Sequence, residues 1–134
     1  MEHLQELCQD LHLDSNLKKS DEGFFLLPLN PSLQIGVKFS DPGAIFTSPI
    51  APCPELKQEE LLTLLMKANL FGQGTLGSAI GLDPEQNLLT LSLNLPYDMN
   101  YRAFRENLED FANIVDYWRE EVKEHIQRAR SEIL

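Results

Sequence analysis

The chain has 134 residues, 43% of them hydrophobic and 24% charged, which suits one folded domain and differs from the composition of disordered chains. Its formal net charge of −10 disfavours nucleic acid and anionic membranes as partners, because both attract Lys and Arg. The sequence also lacks a secretory signal and the run of about 20 apolar residues that a membrane helix needs. We therefore expect a single domain over residues 1–134 that stays in the cytoplasm, with neither nucleic acid nor membrane as a partner.

The first predicted element is a short amphipathic helix. Its apolar side has helical spacing and acidic residues lie opposite; the apolar residues are Leu4, Leu7, Cys8 and Leu11. A helix of this length is marginal on its own and needs a surface to pack on. Residues 13–23 follow as a polar connector.

Three strands are predicted next, at about residues 24–28, 33–39 and 44–48. The middle strand alternates apolar residues with polar residues or glycine, which predicts one buried face; its apolar residues are Leu33, Ile35, Val37 and Phe39. Proline, asparagine and glycine at 30–32 and 41–43 predict the turns. Together these segments predict an antiparallel meander.

An irregular crossing is predicted where prolines recur at 49, 52 and 54. A helix with a broad apolar face follows from about Leu56 to Leu70, and glutamates near its start suit the positive end of the helix dipole. Glycines then end the helix. Residues 72–77 have the pattern G-x-G-x-x-G, but a dinucleotide loop needs a strand before it and a helix after it, the reverse of the order here. We therefore expect a helix stop and turn.

Two more strands and a long helix complete the chain. Residues 78–82 and 88–95 predict a strand pair joined by a turn at 83–87. After Pro96, apolar residues three or four apart predict one helix to the end; they are Phe104, Leu108, Phe111, Val115, Trp118, Val122, Ile126, Ala129 and Ile133. The element order predicts an α+β fold: a mostly antiparallel sheet of about five strands with three helices.

The chain lacks the usual patterns of a catalytic or metal site. His3, His12 and His125 lie far apart in the sequence, and two cysteines cannot form a zinc quartet or a CxxC pair at this spacing. We predict no metal, no cofactor and no catalytic residues, and two free thiols at Cys8 and Cys53 rather than a disulfide. Neighbouring carboxylates on the last helix are interleaved with basic residues, which is typical of a solvated helix face.

An apolar surface is instead expected to remain uncovered. A single sheet with helices on one face leaves an apolar area that nothing else in the sequence covers. We expect a second subunit, a client peptide or both to cover it.

Residues 61–72, Leu-Leu-Thr-Leu-Leu-Met-Lys-Ala-Asn-Leu-Phe-Gly, resemble the second helix of the class I type III secretion chaperones, the Tir chaperone-like family, in which an Asn-Leu pair closes that helix. The likeness continues through 77–82, the strand ending at Leu95-Pro96 and a helix starting near Tyr101. It follows the element order over essentially the whole chain, with its most specific letters between Leu61 and Trp118.

The resemblance implies a small acidic protein of the bacterial cytoplasm, active as a homodimer or as a heterodimer with a related chaperone. Such a protein binds an extended, partly unfolded segment of a secreted effector or translocation component and keeps it soluble and export-competent. The implied client contacts are Leu4, Leu7, Leu11, Phe25, Leu27, Ile35, Val37 and Ile45. The implied dimer contacts are Leu62, Leu65, Met66, Leu89, Leu91 and Leu93.

A second hypothesis is a regulatory protein that binds a cytoplasmic machine, such as a transcription-apparatus subunit.

In the chaperone hypothesis, a client that loses chain entropy on binding requires several separated apolar pockets, and it could also use a free strand edge. The acidic field would then attract basic client segments. The proline segment 49–54 has no counterpart in the family pattern, which leaves the edge of the client groove undefined.

Overall fold

The computed structural model describes residues 2–70 and 77–133 of the chain. Three helices and five strands follow one another in these ranges: α1 (Glu2–Asp10), β1 (Phe25–Asn30), β2 (Leu33–Phe39), β3 (Ala44–Pro52), α2 (Gln58–Asn69), β4 (Ala79–Asp83), β5 (Leu88–Leu95) and α3 (Tyr101–Ile133). The strands form one antiparallel sheet in the order β1-β2-β3-β5-β4. The predicted α+β class and element order are confirmed. Residues 72–76 of the predicted helix stop and turn at 72–77 lie outside the described residues, as does the side chain of Ile133.

The chain divides into two compact units. The first unit comprises Met1–Thr47 with Asn94–Ala112, and the second unit comprises Ser48–Leu93 with Asn113–Leu134. The expectation of a single domain therefore stays a prediction.

The first unit packs its strands against aromatic residues of α3. The antiparallel registers of β1, β2 and β3 place Phe25, Val37 and Phe46 side by side. Phe46 is buried and its ring centroid lies 5.7 Å from those of Phe104 and Phe111. Burial of one such side chain contributes about 1.5–3 kcal/mol, so this aromatic cluster is a main source of the unit's stability.

Helix α1 packs into the same unit. Leu4, Leu7 and Cys8 are buried, and His3 Nε2 lies 2.8 Å from the carbonyl oxygen of Met99. A nine-residue helix is too short to be stable by itself, so its stability depends on these packing contacts.

The second unit is built from the end of β3, α2, β4, most of β5 and the longer part of α3. Its buried apolar residues include Ile50, Cys53, Leu61, Leu65, Ala68, Ile80, Leu89, Leu91, Val115, Trp118, Val122 and Ala129. The Lys57 ammonium lies 3.2 Å from a Glu132 carboxylate oxygen, which joins the start of α2 to the end of α3.

The predicted irregular crossing at 49–54 is wrong in its first part, because β3 continues through Pro49 to Pro52. The register with β2 ends at Thr47, so the missing N–H of Pro49 removes no hydrogen bond from that ladder. The Pro49 carbonyl oxygen accepts hydrogen bonds from Arg119 Nε and Nη2 at 3.3 and 3.1 Å. A strand with two prolines is thus tolerated at this position.

Candidate functional site

The sheet of the first unit presents a half-apolar surface on the side opposite to α3. Registers of β1, β2 and β3 align Leu26 with Gly36 and Thr47, and Lys38 with Ile45. Leu26 and Ile45 are half-buried. The Phe24 side chain lies over Gly36, since a Cβ built on Gly36 would be 3.3 Å from the Phe24 Cβ. We name this surface the outer face and define it by Phe24, Leu26, Gly36, Lys38, Ile45 and Thr47.

A small pocket lies at the edge of the first unit, between α1, the following loop and β1. Its volume is about 150 Å³, and its lining residues are Leu4, Gln5, Cys8, Ser15, Asn16, Leu17 and Phe25. A cavity of roughly 150 Å³ can hold a benzene-sized group. The edge pocket can therefore accept one apolar side chain of a partner.

The Cys8 thiol in the edge pocket is uncharged at neutral pH. Burial raises the pKa of the Cys8 thiol, and the nearby Asp14 carboxylate raises it further. Since a thiol with a raised pKa stays protonated at neutral pH, Cys8 contributes an apolar surface rather than a nucleophilic thiolate.

The open edge of β1 offers no free N–H along its first half. Leu26 N–H donates to the Lys18 carbonyl oxygen (2.8 Å) and Phe24 N–H donates to Ser20 Oγ (3.1 Å). Pro28, the next residue with its backbone turned to this edge, has no N–H. Main-chain pairing by a client would have to displace the chain's own residues 18–20, so side-chain recognition is favoured at this edge.

The predicted client residues fall into three groups. Leu4, Leu7, Leu27, Ile35 and Val37 are buried in the chain. Phe25 is half-buried and lines the edge pocket, and Ile45 is half-buried on the outer face. Leu11, 38% exposed, lies just beyond the end of α1. The structure thus brings Leu4 and Phe25 together but separates Ile45 from Ile35 and Val37, which have the opposite orientation in the sheet.

Two accessible residues of this region, Phe24 and Leu26, were absent from the predicted set. A signal for them exists in the sequence, because Phe24-Phe25-Leu26-Leu27 is apolar on both faces of a strand. A strand of that kind indicates that both faces are covered or bind something.

A second accessible apolar surface lies on α2 and β4 in the second unit. Met66, Leu70 and Leu82 are 72%, 59% and 42% exposed, and Leu62 is half-buried. Leu62 and Met66 lie four residues apart on one side of α2, and Leu70 follows four residues later at the C-cap of the helix; we name these three residues the α2 stripe. Of the other predicted dimer residues, Leu93 is half-buried, whereas Leu65, Leu89 and Leu91 are buried.

Asn69 joins the end of α2 to the edge of β4. Its Nδ2 donates to the Ile80 carbonyl oxygen (2.9 Å), and its Oδ1 accepts from the Ile80 N–H (2.8 Å). The side-chain amide thus occupies both edge-facing groups of Ile80, as a neighbouring strand would. Leu70 then leaves the helix with extended backbone angles, φ −61° and ψ 116°. The Asn-Leu pair in the sequence marks this junction.

Replacing Asn69 by alanine is expected to lower the free energy of unfolding by about 1–3 kcal/mol, because two partly buried main-chain groups lose their partner. Urea unfolding measures the change. Asn107→Ala is the matched control, since Asn107 Nδ2 donates only to the Ala103 carbonyl of its own helix (2.9 Å). An equal loss in both variants would contradict the role given to Asn69.

Within residues 2–70 and 77–133, no three His, Cys, Asp or Glu side chains converge as metal ligands. Cys8 and Cys53 are both buried, and each is a free thiol. In the same ranges, no helix has the length and apolar character to cross a membrane.

Comparisons with known proteins match this architecture. The profile of the Tir chaperone protein (CesT) family matches residues 3–119. The Chlamydia pneumoniae protein CPj0713/CpB0740 is 29% identical over 108 residues, which are 79% of this chain and 82% of that protein.

Two solved structures share the fold. A chain of the HopA1–SchA chaperone–effector complex has a TM-score of 0.68 at 15% identity and covers 89% of this chain and 91% of its own length. A chain of the ExsC–ExsE complex has a TM-score of 0.66 at 14% identity, with coverages of 89% and 90%. The family profile extends from α1 into α3 and spans well over half of the sequence. The chain therefore belongs to the Tir chaperone protein (CesT) family.

Proposed function

We propose that this chain is a type III secretion chaperone, which binds an extended, partly unfolded segment of a secreted client in the bacterial cytoplasm and keeps it soluble and export-competent. Family membership supports this proposal, as does the likeness to chains from two complexes, one of them a chaperone–effector complex. The observation that carries it is the pair of separated sites on the first unit that offer apolar contacts, the outer face and the edge pocket with its mixed apolar and polar lining.

The two sites suit an extended peptide. Successive side chains of an extended chain point to opposite sides, so every second residue can contact the outer face. The apolar contacts there are Phe24, Leu26 and Ile45, and the edge pocket accepts one further side chain. Because the N–H groups of Phe24 and Leu26 at the β1 edge are occupied, the specificity for a client along this half of the edge comes mainly from side chains.

This mode of action requires no chemical reaction. A bound segment loses chain entropy, and burial of its apolar side chains offsets that loss. Affinity and release then depend on the client's own folding and on the export machinery, so neither a cofactor nor a catalytic residue is part of the proposal.

Co-purification tests the proposed function. The full chain, tagged and expressed in the cell that makes it, is expected to carry a secreted protein in fixed stoichiometry, identified by mass spectrometry. Limited proteolysis of the complex is expected to leave one client segment protected. Recovery of a folded cytoplasmic machine without any secreted protein would instead support the regulatory hypothesis and overturn the chaperone proposal.

We also place subunit association on the α2 stripe and Leu82. Met66 and Leu70 are more than half exposed, and exposed apolar side chains clustered on one helix mark a protein–protein contact. The partner in this proposal is a second copy or a related chaperone.

Met66→Glu combined with Leu70→Glu is expected to raise the dimer dissociation constant at least roughly 100-fold, because two carboxylates would have to be desolvated at the interface. Sedimentation equilibrium measures this constant. Lys67→Glu is the matched control, since it changes the net charge by the same amount on the same helix without entering the stripe. A dimer of unchanged affinity in the double variant would place the interface elsewhere.

A further inference from the structure

The outer face and the edge pocket of the first unit each have a lysine beside a phenylalanine ring. Lys38 Nζ lies 5.6 Å from the centroid of the Phe24 ring on the outer face. Lys19 Nζ lies 5.3 Å from the centroid of the Phe25 ring, which lines the edge pocket. Both distances are within the range of a cation–π contact. Two positive charges therefore lie next to one aromatic residue of each site, Phe24 on the outer face and Phe25 in the edge pocket.

These lysines are not neutralised by carboxylates of the described chain. The ion pairs found in residues 2–70 and 77–133 use Lys57, Arg102 and Arg105. Glu22 meets Lys38 only through its main-chain carbonyl oxygen, at 3.3 Å. Asp21 and Glu22 are exposed on the adjacent turn. Lys19 and Lys38 are thus local cations on a chain whose formal net charge is −10.

Building on the proposed function, we infer that the client segment carries aspartate or glutamate between its apolar residues, and that these carboxylates pair with Lys19 and Lys38. A carboxylate gains a charge-assisted hydrogen bond from an ammonium that has no other ionic partner. The neighbouring ring excludes water from one side of that pair. Acidic residues also keep an unbound segment extended and unfolded through their mutual repulsion. This inference is opposite to the preference for basic segments that the net charge alone predicts.

Peptide binding distinguishes the effect of the local lysine charges from the effect of the chain's negative net charge. Three fluorescein-labelled synthetic peptides share the same leucine positions and carry aspartate, asparagine or lysine between them. Fluorescence anisotropy with the full chain is expected to show the aspartate peptide binding about tenfold more tightly than the asparagine peptide, and the lysine peptide binding least. Added salt should reduce this preference.

Two double variants show which lysines cause the preference for the aspartate peptide. Lys19→Gln with Lys38→Gln is expected to remove it, whereas Lys67→Gln with Lys123→Gln, two exposed lysines of the second unit, should retain it. Tightest binding of the lysine peptide, a preference that survives the Lys19/Lys38 change, or no binding of any peptide would each overturn the inference. None of these outcomes alters the co-purification of a secreted client, so the proposed function stands or falls separately.

Discussion

Asparagine in place of both Leu26 and Ile45 is expected to weaken client binding at least roughly 100-fold. The two side chains are half-buried on the outer face, where a client would complete their burial. Each substitution removes an apolar contact worth up to about 1.5–3 kcal/mol and leaves an amide without a hydrogen-bond partner beneath the client. Binding of the co-purified client to the variant, measured by titration calorimetry, gives the change in the dissociation constant.

A neutral residue is needed in this experiment because an aspartate at position 45 would lie beside Lys38 in the sheet register. Leu56→Asn, at a partly exposed leucine of the second unit, controls for the loss of an accessible leucine. The double variant should unfold near the wild-type temperature, unlike Ile35→Asp, which would place a charge at a buried position. Unchanged client affinity in a folded double variant would remove the outer face from the binding surface.

Alanine at Gly43 is expected to lower the free energy of unfolding by at least about 3 kcal/mol. Gly43 has φ +104°, which side chains rarely allow. An added Cβ would also collide with the Leu95 carbonyl oxygen and lie 3.0 Å from the Tyr97 nitrogen. Both are main-chain atoms and cannot rotate away, so the turn between β2 and β3 must shift.

Two other glycines separate the causes of this loss. Gly77 has φ +93°, and within residues 2–70 and 77–133 no atom lies within 4 Å of a Cβ built on it. Gly81 has an ordinary φ, and a Cβ built on it would lie 3.9 Å from Thr90 Oγ1. In urea unfolding, Gly77→Ala should show the cost of backbone strain alone, about 1–2 kcal/mol, and Gly81→Ala should stay within about 0.5 kcal/mol of wild type. A loss at Gly43 no larger than at Gly77 would show that close approach to Leu95 is unimportant.

The elements were predictable wherever periodicity was strong. Alternation in 33–39 and spacing of three and four after Pro96 indicate a strand and a helix without reference to the rest of the chain. The extension of β3 through Pro49 was not predictable, because it depends on the β2 register ending at Thr47. Likewise, the Asn69–Leu70 pair identifies a helix end, but its partner Ile80 is eleven residues away in the sequence.

The strands that bear the candidate site were predictable, but the residues that they leave accessible were not. Period two shows that Ile35 and Val37 share a face, and that face is buried against α3. The accessible residues are the intervening ones, such as Leu26 and Ile45. On α2, helical spacing also did not predict that Leu65 is buried while Met66 is exposed. Which apolar residues are left for partners depends on packing that sequence periodicity does not contain.

Hydroxyl-radical footprinting of the chain, free and bound to its co-purified client, measures the solvent access of individual side chains. If an unfolded client segment lies on the outer face, oxidation of Phe24, Leu26 and Ile45 should fall on binding while that of Tyr117, an exposed residue of the second unit, stays constant. Unchanged oxidation at those three positions, with protection confined to other surfaces, would contradict binding at the outer face.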